Sequence, residues 1–210
     1  MISTLLADDH ALIREGLKKV LAKEIDIDVV YEAENAQQVL DFLAKKEAQI
    51  IILDINLPGM SGLDALKYIH KLSPDVRVLM LSMYPEDRFA VRALKSGAAG
   101  YLTKSSAAEE LVSAIRKIVS GQRYISSVTT EMLLKELLQP ADKLSHETLS
   151  EREFQIMLML IKGKSVKEIS QELVLSLNTI NTYRARILNK MNLKSIQELI
   201  RYAYDQKLLE

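Results

Sequence analysis

The segment Ile50-Ile-Ile-Leu-Asp-Ile-Asn-Leu-Pro-Gly59 sets the terms for the first half of the chain. Four consecutive aliphatic residues, closed by turn formers, are too uniformly apolar for a strand with one wet face. They suit a strand covered on both faces, as in a parallel sheet between two layers of helices. This strand ends at Asp54. Sites of open α/β sheets lie beyond the carboxyl ends of the strands, so that acid is a candidate for chemistry as well as an ordinary turn starter.

The flanking sequence repeats the alternation. Residues 2–7 form an apolar strand that runs into Asp8-Asp9-His10, after which Leu12, Ile13, Leu17, Val20 and Leu21 recur at helical spacing. Residues 26–33 are β-rich and precede a helix through Val39, Leu40 and Leu43. A helix through Leu63, Leu66 and Ile69 follows the Asp54 strand and stops before Pro74. Residues 76–82 and 100–103 supply two more strands. A helix around Phe89, Val91 and Leu94 separates them, and a last helix through Leu111, Ile115 and Ile118 takes its cap from Ser105 or Ser106. The spacing predicts an α/β, doubly wound, five-stranded parallel sheet. Its strand ends bring Asp8, Asp9, Asp54, Ser82 and Lys104 to one edge.

Crowded carboxylates repel one another and either take up protons or bind a hard divalent cation. Mg²⁺ suits a shallow site of this kind, since it keeps several waters and needs few protein oxygens. A carboxylate can also attack phosphorus to give an acyl phosphate, while a cation, Lys104 and the Ser82 hydroxyl neutralise the transferring oxygens.

Residues 123–147 read as a linker, helical from Thr129 to Leu138 and patternless over Gln139-Pro-Ala-Asp-Lys143. From 148 to 210 the sequence is all helical, with Ser150, Ser165 and Ser176 as caps and Gly163 as a stop. Two of its helices are joined by a turn of a few residues, the layout of a helix-turn-helix. In the helix from Leu177 to Met191, Ile180, Tyr183, Ile187 and Met191 share one face. The opposite face carries Asn178, Thr182, Ala185, Arg186 and Asn189, with Asn181 at its flank and Arg184 and Lys190 toward its edges. No acid occurs between residues 177 and 194. Such a face suits the major groove of DNA, with Arg for guanine, Asn for adenine and edge cations for phosphates.

Composition narrows the rest. Lys plus Arg equals Asp plus Glu, 28 each, so no global field draws nucleic acid or a membrane. The absence of cysteine excludes disulfides and thiolate chemistry, and three scattered histidines do not make a metal site. The N-terminus lacks the basic start and apolar length of a signal peptide, and no apolar run approaches the roughly 20 residues that span a bilayer. The expectation is a soluble, cytoplasmic protein.

Residues 1–122 resemble a flavodoxin-like response-regulator receiver domain in Asp8-Asp9, in Asp54-Ile-Asn-Leu-Pro-Gly-Met-Ser-Gly62, in Leu81-Ser82 and in Tyr101-Leu-Thr-Lys104. Residues 148–210 are similar to the LuxR-type helix-turn-helix in Leu149-Ser-Glu-Arg-Glu153, Gly163, Lys167-Glu-Ile-Ser170, Ser176, Thr179-Ile180 and Ile187-Leu-Asn-Lys-Met191. Together they resemble the NarL/FixJ class of two-component transcriptional regulators. The resemblance implies a regulator and not an enzyme. Asp54 is then phosphorylated by a sensor histidine kinase, and Mg²⁺ is held by Asp9, Asp54 and the main-chain carbonyl of Asn56, with Asp8 in support. Lys104 pairs with the phosphoryl group, and Ser82 and Tyr101 act as switch residues. Implied partners are double-stranded promoter DNA, a second copy of the chain in the active state, and RNA polymerase. Tyr183 stands where many members of the class have His, and Ala185 is small where some carry a basic contact residue. Two other readings compete with this one. An aspartyl-phosphate phosphohydrolase carries its nucleophile in an Asp-x-Asp pattern after the first strand, unlike the adjacent acids here, and a phosphate-independent regulator would leave the acceptor set unused.

Overall fold

The computed structural model describes residues 1–138, 145–206 and 208. The chain divides into two compact units, Met1–Gln139 and Pro140–Glu210.

Among the described residues, the first unit alternates β1 (Ile2–Ala7), β2 (Ile27–Ala33), β3 (Ile50–Asp54), β4 (Arg77–Ser82) and β5 (Gly100–Thr103) with five helices. These are α1 (Ala11–Leu21), α2 (Ala36–Leu43), α3 (Gly62–Leu72), α4 (Glu86–Lys95) and α5 (Ala107–Val119). Every pairing is parallel, in the order β2-β1-β3-β4-β5, which is the doubly wound sheet that the alternation predicts. Strand order reverses between β1 and β3, and a crevice opens at such a switch point. Register levels the strand ends there: Ala7 lies opposite Leu53, Asp54 opposite Leu81 and Ser82 opposite Thr103. All five residues of β3 are buried, as its run of aliphatics requires. One core layer packs Ile50, Ile52, Leu79 and Leu81 against Leu111, Ile115 and Ile118 of α5.

One expected cap works differently. Ser106 stands at the N-cap of α5 but makes no side-chain capping bond. Its amide instead donates to Thr103 Oγ1 at 3.2 Å, so the strand-end threonine closes the turn.

The helical part of the linker is α6 (Ser127–Leu138), which packs on α4 within the first unit. Tyr124 joins that unit as well, its amide donating to the Ala99 carbonyl at 2.9 Å. The patternless stretch 139–144 lies outside the described residues.

A 3₁₀ turn (Ser145–Thr148) leads into α7 (Glu151–Ile161), α8 (Val166–Glu172), α9 (Leu177–Lys190) and α10 (Ile196–Asp205). Ser150, Ser165, Ser176 and Ser195 each accept the amide of the third residue onward, at 3.0 to 3.3 Å. Gly163, at φ +82°, ends α7, and Val174, at φ +50°, ends α8 in the same left-handed conformation. No helix of the described residues is long and apolar enough to cross a membrane.

Candidate metal centre and nucleic-acid interface

The ends of β1 and β3 deliver Asp8 and Asp54 into the interior and Asp9 to the surface. Asp54 is 0% exposed. Its Oδ1 accepts the Asn56 amide at 3.1 Å, and its Oδ2 accepts the Lys104 ammonium at 2.7 Å. Lys104, just beyond β5, lies equally close to Asp8 Oδ2, at 2.7 Å. One ligand atom each from Asp8, Asp9, His10 and Asp54 falls within a 4.8 Å cluster. Burial, with the Asp8 charge adding to it, pushes the Asp54 carboxyl up to about 6, against the opposing pull of Lys104 and the Asn56 amide. Burial works against the Lys104 ammonium too, but Asp54 and Asp8 outweigh it and its pKa is raised. Hard oxygens and surplus negative charge suit Mg²⁺.

Three neighbours to which the sequence assigned no role support the cluster. Arg14, buried on α1, donates to the Asp8 carbonyl and to Glu34 Oε1, the latter at 2.9 Å. A signal for it existed, since Arg14 occupies the apolar stripe shared with Leu17 and Leu21. His10 Nδ1 sits 2.6 Å from Asp9 Oδ1 and 3.2 Å from Asp8 Oδ1. Gly62 lets α3 start against the site, because a Cβ there would lie 2.0 Å from the Asp54 carbonyl oxygen.

Ser82 and Tyr101 are both buried and are joined through the backbone of Tyr84. Ser82 Oγ accepts the Tyr84 amide at 3.0 Å, and the Tyr101 hydroxyl donates to the Tyr84 carbonyl at 2.9 Å, with its ring turned inward at 4% exposure. Tyr84 acts here through main-chain atoms, which carry no sequence signal.

In the second unit, α9 turns Ile180, Ile187 and Met191 into the core, and Tyr183 is half-buried. Asn178, Asn181, Thr182, Arg184, Ala185, Arg186, Asn189 and Lys190 are all exposed. The Thr182 hydroxyl donates to the Asn178 carbonyl at 2.9 Å, so its methyl and the acceptor side of its oxygen remain for a partner. Lys190 differs from the others: its ammonium pairs with Glu153 Oε2 at 2.7 Å. That carboxylate also takes the Ser150 amide, at 2.7 Å. Burial would raise the Glu153 pKa, but Lys190 and Ser150 more than offset it and hold it below the usual value. Arg152, buried, donates to Gln155 at 2.7 Å and to the Leu173 carbonyl at 3.3 Å, tying α7 to the turn before α9.

Residues 4–116 match the family described as response regulator receiver domain, and residues 147–203 match bacterial regulatory proteins of the luxR family. Response regulator UvrY of Escherichia coli K12 is 39% identical over 97% of this chain and 94% of its own length. Response regulator GacA of Pseudomonas protegens is 39% identical over 95% of this chain and 93% of its own. Among solved structures, a LuxR-family two-component response regulator from Aurantimonas superposes with TM-score 0.60 at 32% identity, covering 65% of this chain and 98% of that one. RcsB of Salmonella enterica serovar Typhimurium, bound to promoter rprA with the phosphomimetic BeF3⁻, gives TM-score 0.63 at 24% identity over 96% and 98%. That identity extends the likeness to the fold only.

Proposed function

Because the chain belongs to the two-component response regulators that join a receiver domain to a LuxR-family DNA-binding domain, we propose that Asp54 accepts a phosphoryl group from a sensor histidine kinase and that this modification promotes dimerisation and promoter binding. It is a regulator and not an enzyme.

The Lys104 bridge between Asp54 and Asp8 carries this reading. Asp54 is the nucleophile, a carboxylate oxygen attacking phosphorus as the phosphorus–nitrogen bond to the kinase's histidine breaks and the imidazole leaves. Asp9, Asp54 and the Asn56 carbonyl would hold Mg²⁺, with Asp8 in support, and a bound ion would supply charge neutralisation at the phosphoryl oxygens. Lys104 turns from the Asp54 carboxylate to a phosphoryl oxygen, and Ser82 follows with its hydroxyl. Burial excludes water and strengthens each of these interactions.

In the second unit, α9 enters the major groove. Asn178, Asn181, Thr182, Ala185, Arg186 and Asn189 face the bases, and Arg184 faces phosphates. Lys190 contributes through the Glu153 clamp that seats the helix. The domains run from 1 to 122 and from 148 to 210, with 123–147 between them.

Incubation with acetyl phosphate and Mg²⁺, followed by intact-mass analysis, tests the acceptor. One acid-stable, base-labile phosphoryl adduct is expected on the wild-type chain and none on Asp54→Asn. An adduct that survives in Asp54→Asn would overturn the assignment.

A further inference from the structure

The backbone of Tyr84, which joins Ser82 to Tyr101, leads directly into α4, whose first residue is Glu86. The Tyr84 ring also packs on Phe89 of α4, with centroids 4.9 Å apart and planes at 43°. A displacement of this loop therefore displaces the start of α4.

Glu86 reaches across to the start of α6. Its Oε2 accepts the hydroxyl of Ser126 and that of Thr129, the latter at 2.7 Å. Ser126 is the residue on which α6 begins. Its Oγ accepts the Thr129 amide at 3.1 Å, and its carbonyl accepts the Thr130 amide at 3.0 Å and the Thr130 hydroxyl at 2.8 Å. Thr129 is 2% exposed, so its hydroxyl would lose a partner that water cannot readily replace. The carboxylate thus lies in the first turn of α4 and beside the first turn of α6, where both helix dipoles favour negative charge. No structural need of the sheet calls for this contact, since α6 follows the last sheet helix, α5.

We infer that Glu86 is a positioning residue that couples the phosphoacceptor edge to α6: the Glu86 bonds to Ser126 and Thr129 hold the β4–α4 loop in the arrangement in which Ser82 serves Tyr84. The inference rests on Asp54 as the phosphoacceptor. When the Ser82 hydroxyl is drawn to a group on Asp54, the Tyr84 amide loses its acceptor, the loop shifts, and the Glu86 carboxylate moves away from the two hydroxyls. Helix α6 is the last element of the first unit, so its loosening carries the change to that unit's C-terminal end. Coupling of this kind is reciprocal, and weakening the α6 contact must make the acceptor edge easier to load by the same factor.

Beryllofluoride with Mg²⁺ on the full chain provides the test, with ¹⁹F resonances reporting occupancy and hydrogen exchange reporting α6. In the wild type, loading is expected to speed exchange of the α6 amides by about fivefold or more, the signature of a locally loosened helix. Glu86→Ala and the near-isosteric Thr129→Val should show fast α6 exchange before loading and bind beryllofluoride several-fold more tightly. Glu86→Gln, which still accepts hydroxyl bonds, should stay close to wild type. A merely structural contact would speed α6 exchange in the variants and leave beryllofluoride affinity unchanged; that result overturns the coupling. Unchanged α6 exchange in a wild-type chain that displays the bound ¹⁹F resonance overturns it equally. Failure of the wild type to give any bound resonance would instead remove the phosphoacceptor reading, and the coupling would fall with it.

Discussion

The Lys190 ammonium lies 2.7 Å from Oε2 of Glu153, so a cation on the exposed face of α9 is anchored to a carboxylate buried on another helix. Lys190 is more a clamp between α9 and α7 than a hand extended to phosphate. Lys190→Met is expected to destabilise the second unit by about 1 kcal/mol, since one partner is half-exposed. It should change the salt dependence of DNA binding less than Arg184→Ala, which should lower the slope by about one. Urea melts and DNA titrations over a range of salt measure both.

The same pair sets an acid limit. Glu153 has its folded pKa below the ordinary 4.5, so its stabilisation is fully present above the unfolded value and is lost as pH falls through the folded one. Amide protection in α7 and α9, taken relative to the intrinsic exchange rate at each pH, should fall below about pH 4.5 in the wild type, and this pH step should be much reduced in Glu153→Gln.

Asp54 has the opposite sign. Its carboxyl is raised from 3.8 to about 6, so the folded chain holds the proton more tightly and stability is lost as pH rises through that window. Above pH 6 the full cost of the buried charge is in place. Asp54→Asn should therefore be more stable than wild type by about 1–3 kcal/mol at pH 8 and should converge with it near pH 4. Added Mg²⁺ should raise the wild-type Tm more at pH 8 than at pH 5.5, because protons and cation compete for one carboxylate.

Val174 is a β-branched residue at φ +50°, and it is 66% exposed. Left-handed backbone costs an L residue roughly 1–2 kcal/mol, and little packing offsets it here. Val174→Gly should stabilise the second unit by about 0.5–1 kcal/mol after the added chain entropy of glycine is counted. Chemical denaturation at neutral pH checks this.

Gly62→Ala places a Cβ 2.0 Å from the Asp54 carbonyl oxygen, and backbone atoms on both sides cannot yield cheaply. A loss of about 3 kcal/mol or more is expected, with acetyl-phosphate labelling lost in step. Thermal melts and intact mass read the two effects.

Much of this was legible in the sequence because periodicity and register carry it. Ile50 to Asp54 announced a strand buried on both faces, and the ends of β1, β3 and β5 then had to bring Asp8, Asp54 and Lys104 together. The serines before α7, α8 and α9 were equally readable, since capping is local. What escaped depended on partners distant in sequence or on main-chain groups. Glu153 and Lys190 are far apart in the chain, and each alone looks like an ordinary surface charge. Tyr84 acts through its amide and carbonyl, which any residue would supply. Val174 gave no warning, because glycine or asparagine is the usual sign of a left-handed turn. Ser106 showed the converse: a serine stands at the expected cap position without making the side-chain bond.

The most direct measurement is the affinity of the full chain for duplexes selected from a random pool, taken with and without acetyl phosphate and Mg²⁺. The wild type should bind its selected duplex about tenfold or more tightly after modification, and Asp54→Asn should show no change. Equal tightening in Asp54→Asn, or none in a wild-type chain that mass analysis shows to be modified, would contradict the account.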